Sequence, residues 1–180
     1  WYNQAGVLFR LGRHQDALRM LDWAHKIDPR QESIWAKRGQ ILRTLDRHED
    51  ALEAYNHALE LSHTYAWAWN GKGLCLKSLR RPEEALRAFQ EAARLLPDEV
   101  LHWYNQAEVL VEMGQYEAAL PVAIQAARVK PDHAYSWAKM GQVYRYLNLF
   151  EEALAAYNRA IQLNPAYAWA INGKGMVLER

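Results

Sequence analysis

The sequence holds one cysteine, Cys75, in 180 residues. A lone thiol closes no internal disulfide, which fits a reducing, cytoplasmic setting. There is no apolar run of about 18 residues, so no helix is expected to span a membrane. Charge of either sign is scarcely in excess: 22 Lys and Arg against 21 Asp and Glu leave a net +1. Bulk nucleic-acid binding needs a basic surplus to replace counterions, so no nucleic-acid partner is expected. Trp1-Tyr2-Asn3-Gln4 lacks the character of a signal peptide, and no initiator Met precedes it. What remains is a chain 51% hydrophobic and 24% charged, a composition that folds.

The residues that are present recur. Trp1, Trp35, Trp69, Trp103 and Trp137 share a spacing of 34. Ala17, Ala51, Ala85, Ala119 and Ala153 keep the same phase, as do Ala24, Ala58, Ala92, Ala126 and Ala160. Pro29, Pro97, Pro131 and Pro165 form a fourth column, interrupted by His63. A fifth holds Ala5, Gly39, Gly73, Ala107, Gly141 and Gly175.

Each column suits a pair of antiparallel helices. The small residues let two backbones approach. Large residues in phase fill the space beside them: Leu8, Leu42, Leu76, Leu110, Tyr144 and Leu178 on first helices, Leu21, Tyr55, Phe89 and Tyr157 on second helices. The Trp column is expected to pack each first helix onto its neighbouring repeat. The prolines end each second helix. Apolar spacing such as Ala51, Leu52, Tyr55, Ala58, Leu59 is helical, and nothing alternates as a strand would. First helices are expected near 1–12, 32–45, 66–79, 100–113, 134–147 and 168–180, second helices near 15–27, 48–61, 82–95, 116–129 and 150–163. Pro82 falls in a first turn, where a missing N–H costs little. Pro121 lies deeper, beside the small Ala123, and predicts a kink or a thinner contact.

These columns resemble the tetratricopeptide repeat family over the whole chain. The pattern of Trp, Gly or Ala, a large residue, Ala, an aromatic, Ala and Pro is nearly complete; His63, Ala123 and Ile171 depart from it. A pentatricopeptide, RNA-binding reading fits less well, since the period is 34 and not 35. The resemblance implies an all-α, right-handed α-solenoid of antiparallel helix pairs, a superhelix with a concave groove, and a protein-binding role. It implies a single array of about five and a third repeats: 1–31, 32–65, 66–99, 100–133, 134–167 and a partial 168–180.

A longer period of 102 residues lies on top. Trp1-Tyr2-Asn3-Gln4-Ala5 returns as Trp103-Tyr104-Asn105-Gln106-Ala107, and Asn70-Gly71-Lys72-Gly73 as Asn172-Gly173-Lys174-Gly175. Nearly half of all residue pairs at this offset are identical. Duplication of a three-repeat block accounts for this, and it would also present one surface twice. The last stretch has no partner helix after it, so Met176, Val177 and Leu178 are expected half covered, as in a segment of a longer array.

In solenoids of this resemblance first helices line the groove. That places Tyr2, Ala36, Asn70, Tyr104, Ala138 and Asn172 in one column, and Asn3, Lys37, Gly71, Asn105, Lys139 and Gly173 in the next. Phe9, Arg43, Lys77, Val111 and Arg145 follow, with Trp67, Leu101, Tyr135 and Trp169 near the helix starts. Asn amides can bond a peptide backbone, Lys and Arg can pair with carboxylates, and rings anchor. The candidate peptide-binding residues are therefore Asn3, Lys37, Arg43, Trp67, Asn70, Tyr104, Asn105, Tyr135, Lys139, Arg145, Trp169 and Asn172. Asn3, Lys37, Asn105 and Lys139 resemble in part the clamp by which some co-chaperones of the family hold an acidic tail. Glu108 and Glu112 share the face and weaken its positive character.

No catalytic, metal or cofactor site is expected. The seven histidines lack ligand spacing, and Asn70-Gly71-Lys72-Gly73 lacks the spacer and Ser/Thr of a phosphate loop. Acidic pairs such as Glu83-Glu84 and Glu151-Glu152 open second helices and complement their dipoles. The reading is a non-enzymatic scaffold that binds a peptide or protein with acidic groups. The alternative is a regulatory arm whose partners include other domains of a longer chain.

Overall fold

A computed structural model describes residues 1–179. Among the described residues there are eleven α-helices and no strand. In chain order they are α1 (Tyr2–Arg10), α2 (His14–Ile27), α3 (Glu32–Thr44), α4 (His48–Leu61), α5 (Ala66–Ser78), α6 (Pro82–Leu95), α7 (Val100–Glu112), α8 (Tyr116–Val129), α9 (Ala134–Tyr146), α10 (Phe150–Leu163) and α11 (Ala168–Leu178). The chain divides into two compact units, Trp1–Leu95 and Leu96–Arg180. In the first, α3 packs on α4, α5 on α6, and α4 on α5. In the second, α9 packs on α10, α7 on α8, and α8 on α9.

The first helices stop one or two residues before their expected ends. The cause is a left-handed residue at the same place in five repeats: Gly12 (φ 73°), Asp46 (56°), Arg80 (60°), Gly114 (72°) and Asn148 (60°). The next residue turns back and donates its N–H to the carbonyl five positions earlier. These bonds are Arg13 to Leu8 (2.9 Å), Arg47 to Leu42 (3.0 Å), Arg81 to Leu76 (2.9 Å), Gln115 to Leu110 (2.9 Å) and Leu149 to Tyr144 (2.9 Å). This is the Schellman closure, which satisfies orphan carbonyls and reverses the chain into the second helix. Three second helices then open on an arginine paired to an acid three residues on: Arg13 with Asp16, Arg47 with Asp50 and Arg81 with Glu84.

One buried ring sets the packing in three of the helix pairs. In the first unit Tyr55 of α4 lies between Gly39 of α3 and Gly71 of α5, and a methyl on either glycine would collide with the ring. Phe89 of α6 lies 2.6 Å from where a methyl on Gly73 would sit. The second unit repeats the device: Tyr157 of α10 is wedged between Gly141 of α9 and Gly173 of α11. Each buried ring contributes about 1.5–3 kcal/mol through the apolar surface it hides. Gly71 and Gly173 are therefore packing positions, which corrects their expected place in the groove-lining column. Ala36 and Ala138 are likewise buried.

The tryptophans tie first helices to the closing turn of the preceding repeat. The indole N–H of Trp69 donates to the His63 carbonyl (2.8 Å), that of Trp103 to Pro97 (2.7 Å) and that of Trp137 to Pro131 (2.9 Å). The bond uses a backbone oxygen, so His63 serves as well as a proline. Its own Nδ1 meets the Leu59 carbonyl at 3.0 Å and helps close α4. Pro82 opens α6, and α8 runs unbroken through the exposed Pro121. Val177 is buried against the core of the second unit, contrary to the expectation of half cover, while Met176 and Leu178 remain exposed.

Candidate binding face

On the first helices of the second unit, α7, α9 and α11 frame a cleft of about 410 Å³. Tyr104, Glu108, Val111, Glu112, Lys139, Gln142, Tyr167 and Trp169 line it. Lys139 sits at its centre and is only 7% exposed. Its Nζ lies 3.5 Å from Glu108 Oε1 and donates to Gln142 Oε1 at 3.2 Å. The ring centres of Tyr104 and Trp169 stand 5.4 and 5.3 Å away, within cation–π range. A lysine can be buried here because a carboxylate, an amide and two ring faces together replace its water.

The tyrosines carry the mark of the same environment. Burial, then the adjacent Glu108 charge, pushes the Tyr104 phenol well above its ordinary value. Tyr167 is pushed up to about 12 by burial first, then by Tyr135 and Glu108. Tyr135 and Tyr167 lie 4.8 Å apart, and Tyr167 stacks on Trp169 at 6.0 Å. His133 extends the row, 6.1 Å from Tyr104 and 5.4 Å from Tyr135. Burial lowers the His133 pKa, with Lys130 adding to the effect. The rings therefore form a continuous aromatic surface whose outer members, Tyr135 and Trp169, reach solvent.

The other candidates fall as follows. Asn105 is half-buried on α7 and Asn172 exposed on α11. Arg145 reaches the Tyr157 hydroxyl and lies 4.5 Å from the Tyr146 ring. In the first unit Arg43 reaches the Tyr55 hydroxyl in the same manner. Lys37 is half-buried on α3; its Nζ donates to Gln40 Oε1 at 2.8 Å and lies 5.9 Å from the Phe9 ring. Asn3 and Trp67 are exposed, whereas Asn70 is buried, which corrects its place among groove-facing amides. Tyr2 and Tyr65 couple electrostatically, as Tyr104 and Tyr167 do 102 residues later. Sequence reasoning omitted Tyr167 and Gln142 as site residues, although Tyr65 and Gln40 repeat them at that same offset.

A second cleft, of about 360 Å³, lies between α5 and α6 and includes Trp69, Lys72, Glu84 and Arg87. Burial lowers the Lys72 pKa, and its Nζ stands 5.2 Å from the Trp69 ring. Among the described residues no group of three or more His, Cys, Asp or Glu could hold a metal ion. Among the described residues no helix is long and apolar enough to cross a membrane. Cys75 is fully buried and its thiol is pushed up to about 12, mainly by desolvation, so it is no nucleophile at neutral pH.

Three family profiles, each described as tetratricopeptide repeat, match residues 30–98, 103–133 and 134–167. No curated protein sequence matches the chain. Solved structures with the same fold include PilF of Pseudomonas aeruginosa, with a TM-score of 0.89 and 20% identity over 99% of this chain and 81% of that one. YrrB, described as a protein of this repeat class with an unusual peptide-binding site, aligns with a TM-score of 0.79 and 22% identity over 97% and 90%. MamA aligns with a TM-score of 0.81 and 21% identity over 91% and 96%.

Proposed function

Because the chain belongs to the tetratricopeptide repeat family, we propose that it is a non-enzymatic interaction scaffold whose first-helix faces receive a peptide segment of a partner protein. The observation that carries this reading is the cleft on α7, α9 and α11. Tyr104, Tyr167 and Trp169 line it, and its one lysine is already neutralised. Rigid aromatic rings offer contact area at low entropy cost, which suits side-chain anchors of an extended ligand. The peptide-binding description of YrrB, a neighbour in fold, is consistent with it.

The test is an array of 12-residue peptides probed with the full chain, followed by fluorescence anisotropy on the peptides retained. Trp169→Ala removes an exposed ring and is expected to weaken binding about tenfold or more, the usual scale of an aromatic anchor. Tyr104→Phe keeps the ring and should lose less. Unchanged affinity in Trp169→Ala, with unchanged helicity and melting, would place the binding surface elsewhere; the α5–α6 cleft is the next candidate.

A further inference from the structure

We propose that the aromatic row of the second unit is a receptor for a proline-rich segment in the polyproline II conformation, seated on Tyr135, Tyr167 and Trp169. This rests on the peptide-binding reading above and deepens it by naming the class of peptide.

Three features of the row select that class. The first is continuity. Tyr135 and Tyr167 stand 4.8 Å apart, Tyr167 and Trp169 6.0 Å apart, and His133 carries the row on to Tyr104. Tyr135 is 47% and Trp169 39% exposed, so ring surface that a partner can cover already lies in solvent. Pyrrolidine rings dock against such faces, and a polyproline II helix returns a side chain to the same side every third residue, about 9 Å along.

The second feature is charge. Lys139, the one cation lining the cleft, is occupied by Glu108 and Gln142. His133 is neutral at pH 7, because burial first and Lys130 second lower its pKa. The row therefore demands no charge of its ligand, and prolines bring none. The third feature is hydrogen bonding. The indole N–H groups of Trp103 and Trp137 are tied to backbone carbonyls, whereas among the described residues that of Trp169 donates to none. The Tyr167 phenol, pushed up to about 12 by burial, keeps its proton as a donor. A polyproline II segment matches these donors: its carbonyls carry no internal bonds, and each proline lacks an N–H that would need an acceptor.

The first unit lacks the complete row. At the 102-residue offset it keeps Tyr2, Tyr65 and Trp67, but has Ser33 in place of Tyr135 and Gln31 in place of His133. The rings that link Tyr104 to Tyr167 are thus found in the second copy alone, and the proline preference belongs to that copy.

The experiment uses the full chain and fluorescence anisotropy with two fluorescein-labelled 12-residue probes with capped ends, one all proline and one of alternating Gly and Ser. The proline peptide is expected to bind at least about tenfold more tightly than the Gly-Ser peptide, the scale of an aromatic anchor. Tyr135→Ser, which writes the first unit's residue into the second, should remove about tenfold of that affinity. Trp169→Phe keeps a ring but loses the indole donor, and should cost about fivefold, the scale of one hydrogen bond. Both variants change exposed side chains and are compared with wild type at equal helicity and melting. Added salt should leave the affinity within about twofold, since no ion pair forms; a steep fall with salt would overturn the inference. If the proline peptide fails to bind while peptides without proline are retained on the array, the proline receptor is refuted and peptide binding stands. If it binds wild type and Tyr135→Ser equally, the row is not its seat and the inference falls. If no peptide of any composition binds, the peptide reading falls and the receptor with it.

Discussion

Two glycine-to-alanine changes in first helices should act with opposite sign. Alanine is favoured over glycine inside a helix by about 1 kcal/mol. At Gly6 of α1 the new methyl meets nothing within 4 Å, so Gly6→Ala should gain most of that amount. At Gly71 of α5 the methyl collides with the Tyr55 ring. The ring has little room to retreat, because Gly39 closes on its other face. Forcing a methyl into such a site costs about 1–3 kcal/mol. The two variants should thus differ by about 2 kcal/mol, or about 4–8 °C in Tm for a chain of this size. Parallel thermal melts by circular dichroism read the difference. Gly173→Ala, whose methyl would lie 2.5 Å from Tyr157, should behave like Gly71→Ala. If Gly71→Ala melts at or above Gly6→Ala, the wedge between glycines is not what fixes the spacing of α3, α4 and α5.

Arg80 occupies a left-handed position that costs a side-chain-bearing residue about 1–2 kcal/mol. Arg80→Gly should raise stability by about 0.5–1 kcal/mol after the entropy that glycine adds to the unfolded chain; a lower denaturation midpoint would contradict the closure described for α5. Stability should also fall at alkaline pH. Folding raises the pKa of Cys75 and of Tyr55 and Tyr167 to about 12. The folded state therefore holds these protons longer than the unfolded one, and the stabilisation is complete below about pH 8.5, where the free thiol begins to titrate. It is lost as the pH rises through the tyrosine range toward 12. Melts at stepped pH, read together with tyrosinate absorbance, would test this; a flat Tm up to pH 11 would contradict it. Cys75→Ala should remove only the earliest part of the decline.

Much of the fold is legible because the phase of its repeats is written in residue size. Ala51, Ala58, Gly39 and Tyr55 can coexist only where two helices touch, so their columns locate the helix pairs to within a few residues. The turns are less legible. The left-handed site holds glycine in two repeats but Asp46, Arg80 and Asn148 in three, so composition does not reveal that all five share one backbone geometry. The face was read as a mixture of aromatic rings, amides and cations, and the state of its cations was hidden. Whether a lysine is open or quenched depends on what the adjacent first helix places opposite it. For Lys139 that is Glu108 of α7, which does not lie close in sequence. Gly71 misled for a related reason: a column assignment gives a side of the helix, but only the position of the Tyr55 ring shows that this side is already full.

The two halves of the 102-residue duplication separate what packing fixes from what it leaves free. Tyr55, Gly39, Gly71 and Arg43 return unchanged as Tyr157, Gly141, Gly173 and Arg145, and the ring between two glycines leaves no room for a different set. Gly6 and Arg10 return instead as Glu108 and Glu112, and Phe9 as Val111, at places where the core imposes no such limit. Substitution there costs the fold little, so it can change what the face binds without changing how the helices stack. The chemistry of the ligand is therefore to be sought where the two blocks differ.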